Sequence, residues 1–498
     1  MVAHPFIYEI DTWPWLDELG RRDGGPLELG TVPEGEWERV AALGFDAVWL
    51  MGVWGRGPGG IAVALANPSL VASFERALAE FTQADVVGSP YCVRDYVVDA
   101  RLGGPDGLAA AREALARHGL GLILDFVPNH VAPDHPWVAA HPEYFVRGDD
   151  ADLERDPSSF VRAGGAVVAN GRDPYFPAWP DVVQLDAFSA DLRAAATTTL
   201  LSLATQCDGA RCDMAMLVTN DVFERTWGGR AAPRPREEYW PTVIDAVKAA
   251  RPDFVFIAEA YWDLEWTLQQ HGFDYCYDKR LYDRLVHDGA DDVFGHLGAD
   301  LEYQRRLVRF VENHDEPRAA ATFAPAKARA AAVATLSQTG ARLVHDGQLE
   351  GREVHLPVFL GRRPDEPGDE ELRAFYERLL AFLADDVVRA GEWARAERSG
   401  WEGNETWAQL VAWGWRGDDP RKLVVANLGD EPAEGRVSLP WDDLRGATWR
   451  LDDAADGQRF ERTGDDLRDG LYVALPPWGW HLFDLTRIDT PATTGQGT

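Results

Sequence analysis

The segment DGARCDMAML, residues 208–217, sets Arg211 and Asp213 two positions apart in an otherwise apolar run. On a strand that spacing puts both side chains on one face. A fixed guanidinium beside a carboxylate favours the ionised form, which a nucleophile needs. Taken alone, a buried Arg–Asp pair reads more readily as structural. Two further acids change the weight. Glu259 stands near the end of the apolar run FVFIAEAY (254–261), and Asp315 ends LVRFVENHD (307–315) behind Asn313 and His314; Asp125, Asn129 and His130 close a third such run. Three carboxylates at strand-like ends suit a double displacement at an acetal carbon. One carboxylate attacks, and a carboxylic acid about 5–5.5 Å away protonates the leaving oxygen and then activates water.

Residues so far apart in sequence need a scaffold that brings strand ends together. Continuous apolar runs of the buried parallel-strand kind occur in PFIYEI, DAVWLM, LGLILDFV, DGARCD, FVFIAEAY, FDYCYD, LVRFVENHD and GARLVHDG. Helical patterns lie between them at 37–43, 105–117, 189–204, 240–250 and 326–337, several ending in glycine. Eight strands interleaved with helices predict an α/β protein with a closed (β/α)8 TIM barrel, and no GxGxxG follows the first strand to suggest a doubly wound sheet. A glycine-rich insertion after the second strand reads as one helix around 68–81 followed by a further strand region, VVGSPYCVRDYVV. Two tracts break the alternation. Residues 131–184 are loop-rich, with 160–163 and 166–170 flanking Gly164–Gly165, and read as a small hairpin subdomain after the third strand. From 386 the runs WAQLVAWGW, RKLVVANL, GRVSLPW and GLYVAL predict a C-terminal antiparallel β-sandwich. The division is therefore barrel at 1–130 and 185–385, loop subdomain at 131–184, sandwich at 386–487 and a disordered tail at 488–498.

Composition narrows the partners. With 46% hydrophobic and 26% charged residues the chain reads as a soluble globular protein, and no apolar run approaches the roughly 20 residues of a membrane helix. The N-terminus MVAHPFIYEI carries no export pattern, so a cytoplasmic location is expected. Cys92, Cys207, Cys212 and Cys276 lack CxxC spacing and read as buried free thiols. A net charge of −33 repels phosphate backbones and anionic membranes, which argues against nucleic acid and membrane partners. Composition sets no oligomeric state.

Four segments carry a family resemblance. DFVPNH (125–130), GARCDMAML (209–217), IAEAYW (257–262) and VENHDEP (311–317), in that order and spacing, resemble the four sequence regions of the α-amylase family of retaining glycoside hydrolases, glycoside hydrolase family 13. The resemblance covers residues 1–385, and the family's loop domain and C-terminal sandwich match the two interrupting tracts. It implies that Asp213 is the nucleophile, Glu259 the general acid/base and Asp315 the transition-state stabiliser. It further implies that Arg211 orients Asp213, that His130 and His314 hydrogen-bond the sugar at the cleavage point, and that Tyr91 stacks on that sugar. Asn129 stands at the family's calcium-ligand position, so a structural calcium is compatible, while the chemistry requires no cofactor. The sequence departs from the pattern at Met216–Leu217, where many amylases carry Lys-His, and in LEGREVHLPVFLGRRPDEP after the eighth strand, which is expected to shape specificity.

Several local expectations follow. Tyr261 and Trp262 would form an apolar wall that raises the pKa of Glu259, while Arg211 lowers that of Asp213. Trp54, Trp179, Trp262 and Trp266 would line subsites, Asp125 would hold loops, and Glu312 and Glu316 would be solvated or salt-bridged. The activity expected is hydrolysis of α-1,4-glucosidic bonds in maltooligosaccharides or glycogen- and starch-type glucans. An α-glucosidase, a trehalose-forming isomerase or a glucanotransferase would share the same acids. A metal-dependent barrel hydrolase using His130, His314, His345 and Asp315 lacks the expected His-x-His on its first strand; a non-catalytic carbohydrate-binding protein would not need all three acids intact.

Overall fold

The computed structural model describes residues 4–417 and 420–488. Eight strands close into a parallel barrel: β1 (Phe6–Asp11), β2 (Ala47–Met51), β3 (Gly121–Phe126), β4 (Gly209–Cys212), β5 (Val255–Ala258), β6 (Tyr275–Tyr277), β7 (Leu307–Arg309) and β8 (Ala341–His345). Each pairs with its sequence neighbours, and β8 closes onto β1. The strands are apolar on both faces because both are covered. Ile7, Trp49, Ile123, Ile257 and Leu343 fill the interior, while Val48, Leu122 and Phe256 pack outward against helices. The helix Gly104–Arg117 shows the logic, burying Leu108, Ala111 and Leu115 on one face.

The insertion after β2 differs from the sequence expectation. PGGIAVALA, expected as glycine-rich loop, is a helix, Pro58–Ala66, and a second follows at Pro68–Ala77. A proline at each helix start and Asn67 between them explain the division, for Asn67 Oδ1 accepts from the Ser69 N–H at 3.0 Å. The strands Trp54–Arg56 and Val93–Val98 then pair antiparallel outside the barrel. After β3 come four short antiparallel strands, His130–Val131, Phe160–Ala163, Ala166–Gly171 and Trp179–Gln184. Gly164 and Gly165 turn the central hairpin at φ of 55° and 81°, backbone that side-chain-bearing residues resist.

Beyond β8, residues 346–369 have no helix or strand before the helix Glu370–Leu383. A six-stranded and a three-stranded sheet form the C-terminal unit around a separate core that includes Leu410, Leu423, Trp441 and Trp449. It is fastened to the barrel by Trp413 and Trp415, whose indole N–H groups donate to the Ser337 carbonyl at 3.1 and 2.9 Å. The tail expected to be disordered lies, from residue 489, outside the described residues. All four cysteines are buried and free, and among the described residues no helix is long and apolar enough to cross a membrane.

A buried ion pair locks β6 to β7. Arg309 Nε lies 3.0 Å from Asp278 Oδ2, and its other nitrogens donate to the Thr339 carbonyl and Gln304 Oε1. Burial opposes ionisation of Asp278, but His296 and Arg309 outweigh it and hold the carboxyl far below its ordinary value of 3.8. A depressed carboxyl contributes stability above its unfolded pKa and loses it as pH falls below that value. Asp278→Ala should leave Arg309 buried without a counter-ion and cost about 3–5 kcal/mol. The urea midpoint at pH 7 checks this, with the gap between wild type and variant shrinking below pH 4; an unchanged midpoint would refute it.

Candidate active site

Register decides where the polar residues meet. Arg211 on β4 pairs with Asp125 on β3 and Ile257 on β5, so it enters the barrel interior at the level where the strands end. Its guanidinium is buried (1% exposed). Nη1 lies 2.9 Å from Asp213 Oδ1 and 3.8 Å from Asp125 Oδ1; Nη2 lies 2.7 Å from Glu259 Oε2 and 3.7 Å from Asp315 Oδ2. One cation thus meets four carboxylates from four strand ends. Trp49, Tyr91 and Tyr277 surround it, with ring centroids 5.3, 5.0 and 5.7 Å from Cζ.

The two acids differ in their partners. Glu259 Oε2 accepts from the Met214 N–H at 2.6 Å and Oε1 from the Tyr261 hydroxyl at 2.9 Å, beside its ion pair with Arg211. Asp213 Oδ2 is buried and carries no hydrogen bond among the described residues. Both residues line a cavity of about 270 Å³ with Asp315, Tyr91, His130, Trp179 and Phe359. Arg211 lowers the pKa of Asp213 as expected, but burial and the charge of Glu259 outweigh it and push Asp213 well above the usual carboxylate range. Tyr261 is not an apolar wall, for it donates a hydrogen bond to Glu259.

His314 is held by a residue that the sequence reading missed. Its Nδ1 meets Glu9 Oε1 at 2.5 Å, and its Nε2 meets the Tyr91 hydroxyl at 2.5 Å and Asp315 Oδ2 at 3.0 Å. Burial would strip the imidazolium of its proton, but Asp315 and Glu9 outweigh it and raise its pKa well above 6.5. For Asp315, burial is outweighed by His314 and Arg211, which bring it to about 2. His130 behaves oppositely. Burial alone lowers it to about 3, so the ring that stands 4.0 Å from Asp213 Oδ2 is neutral. The signal for Glu9 was available, since a glutamate inside the apolar run PFIYEI is a buried charge that needs a partner.

The remaining candidates divide. Trp179 lines the cavity edge-on to His130, 5.2 Å between centroids, and Trp262 lines a neighbouring cavity of about 620 Å³ with Phe176, Met214 and Tyr261. Trp266 lines neither cavity. Trp54 is core, its N–H donating to the Asp125 carbonyl at 2.7 Å. Asp125 holds the β2 loop by accepting from the Gly52 N–H. Glu312 is buried and paired with Arg318 at 3.2 Å, and Glu316 with Lys279 at 3.4 Å.

The residues around Asn129 do not fit a calcium ion. Its Oδ1 accepts from Gln184 Nε2 at 2.8 Å, and its amide faces Gln184 and His130 rather than carboxylates. Among the described residues the His/Cys/Asp/Glu cluster with metal-like spacing is Glu9, Asp11 and His345. There His345 Nδ1 accepts from Arg318 at 2.5 Å, which puts the ring proton on Nε2, the atom a metal would need. His130, His314, His345 and Asp315 therefore do not form one ligand set.

Comparison with known proteins agrees with this geometry. No family model matches the chain. The α-amylase MalA of Haloarcula japonica is 25% identical over 455 residues, covering 87% of this chain and 56% of that protein. An α-1,4-glucan:maltose-1-phosphate maltosyltransferase of Streptomyces coelicolor is 28% identical over 278 residues, 53% of this chain and 34% of that one. The chain thus spans about half the length, or less, of these curated relatives. Among solved structures, a maltogenic α-amylase, AmyB, from Thermotoga neapolitana superposes with a TM-score of 0.68 at 18% identity over 97% of this chain and 98% of that one. An α-amylase from Lactobacillus plantarum gives 0.64 at 20% identity over 96% and 98%. These structures share the fold, the curated relatives share sequence over 87% and 53% of this chain, and the four strand-end segments converge on one guanidinium: in sequence and fold the chain is similar to α-amylase family proteins.

Proposed function

We propose that the chain is a retaining glycoside hydrolase acting on α-1,4-glucosidic bonds of maltooligosaccharides or glycogen- and starch-type glucans. The observation that carries this reading is the pair Asp213 and Glu259 held on adjacent nitrogens of one guanidinium, with Asp315 over the same cavity. Two carboxylates held on Nη1 and Nη2 of one guanidinium suit the retaining spacing of about 5–5.5 Å.

In the first step Asp213 Oδ2 attacks the anomeric carbon while Glu259 gives its proton to the glycosidic oxygen, which leaves with the bonding pair. Glu259 then takes a proton from water as that water breaks the glycosyl ester. Two carboxylates on one guanidinium titrate as a pair, and the attack requires the proton of that pair on Glu259. Asp315 and the charged His314 grip the ring hydroxyls, and neutral His130 adds a hydrogen bond without adding charge. A second reading is transfer of the glycosyl unit to a sugar instead of water. It is favoured by the relatives named as maltosyltransferases and by the burial of Met216 and Leu217, which leaves no polar pair beyond the nucleophile.

With maltoheptaose as substrate, Asp213→Asn should abolish turnover, and Glu259→Gln should lower kcat by roughly 10²–10⁴-fold. Sustained turnover by Asp213→Asn would sink the assignment, and products longer than the substrate would select transfer over hydrolysis. Glu9 acts as a positioning residue through His314. Glu9→Gln should move the His314 titration to lower pH in nitrogen-labelled histidine NMR spectra, and the alkaline arm of kcat/KM should follow in the same direction. A titration that stays in place would leave Glu9 a merely structural role.

A further inference from the structure

Two tracts that a barrel does not require meet over the catalytic cavity. Instead of turning into a helix after β8, residues 349–367 cross the mouth of the barrel to the helices inserted after β2. The crossing is fastened along its backbone. Val87 and Gly88 N–H groups donate to the Phe359 carbonyl at 2.8 and 3.3 Å, and the Gly361 N–H donates to the Asp85 carbonyl at 2.8 Å. Arg362 grips Asp85 through Nε at 2.6 Å and Nη2 at 3.0 Å. Leu360 is buried (1% exposed) in a cluster with Phe74, Leu78 and Val86. Phe359 packs its ring 5.7 Å from that of Phe74 and presents the remainder to the cavity.

The acids give the cavity a direction. Asp213 must reach the anomeric carbon, and Glu259 the oxygen that leaves, so the departing part of the substrate lies on the side of Glu259. There Met214 and Tyr261, which both hydrogen-bond Glu259, also line the larger cavity of about 620 Å³. The sugar that keeps its anomeric carbon must sit in the cavity that holds Asp213, walled also by Trp179, Asp181 and Phe359, none of which lines the larger one, and measuring about 270 Å³. That volume falls below the roughly 300–1,000 Å³ of ordinary small-ligand pockets.

We propose that the tract 349–367, with Phe359 at its tip, caps the glycone side of the site, so that the enzyme removes short units from the non-reducing ends of α-glucans and does not cut within a chain. The inference rests on the glycosidase reading above. An internal sugar continues through its 4-oxygen into the next residue, which Phe359 stands against. A terminal sugar ends in a hydroxyl, and the Asp181 carboxylate in the same wall supplies an acceptor for one. A site built to receive a hydroxyl discriminates strongly against a substrate that lacks it. Because the tract is pinned by backbone hydrogen bonds, an ion pair and a buried leucine, admitting a longer chain would break several contacts at once.

The test uses maltoheptaose labelled at its reducing end, with the far terminus either free or blocked as a 4,6-O-acetal. The wild-type chain should shorten the free substrate from the unlabelled end and turn over the blocked one at least about 100-fold more slowly. Phe359→Ala should narrow that gap by about tenfold. Should this variant fail to fold, the wild-type comparison decides alone. Blocked and free substrates cleaved at similar rates would overturn the cap while leaving the glycosidase reading intact. If neither form is cleaved, that reading fails and the cap falls with it.

Discussion

The site depends on one buried cation. Arg211 sits in the barrel interior at 1% exposure, between carboxylates from β3, β4, β5 and the segment after β7. A guanidinium stays charged when a lysine would lose its proton to burial, and its fixed fork addresses two carboxylates in one plane. Without it, Asp213, Glu259 and Asp125 would be like charges crowded into low dielectric. With it, the acids are held close around one counter-charge. Aromatic rings close the guanidinium off, so its field is spent on the acids and not screened by water.

Backbone strain is concentrated at the same place. Of the five non-glycine residues with positive φ among the described residues, Met214, Trp262 and Asp263 flank the two acids. The left-handed turn at Met214, φ 40°, brings its N–H to within 2.6 Å of Glu259 Oε2, so the residue after Asp213 orients Glu259. Such conformations persist only where surrounding structure imposes them. Here the imposing contacts are ladder bonds that run past the strand ends, from Asp213 N–H to the Phe126 carbonyl and from Glu259 N–H to the Cys212 carbonyl. His314 is fixed comparably between Glu9 on β1 and Tyr91 in the loop after β2.

Substrate selection lies outside this shared core. The barrel and the four strand-end segments account for acids, charge and geometry. The cavity walls come from the insertion after β2, the hairpin tract after β3 and the crossing after β8. Loops that carry selectivity on a rigid barrel are free to vary because the barrel's own core does not depend on them.

The sequence by itself determined the barrel, the order of its strands and the identity of the acids. Strands buried on both faces must be continuously apolar, so a polar residue at the end of such a run is conspicuous, as Asp213, Glu259 and Asp315 are. The Gly164–Gly165 hairpin was legible for a similar reason, since few residues other than glycine accept its backbone. Tertiary structure decided what depends on distance. Arg211 was readable as a partner of Asp213, but its division between Asp213 and Glu259, and the burial and Glu259 charge that outweigh it at Asp213, follow from strand register. Glu9 meets His314 across 305 positions, and Phe359 meets Phe74 across the barrel mouth. The helix at Pro58–Ala66 also escaped local reading, because its two glycines disfavour a helix that a starting proline and packing nonetheless hold. Periodicity reports which face of an element is buried; which elements face one another is fixed only when the barrel closes.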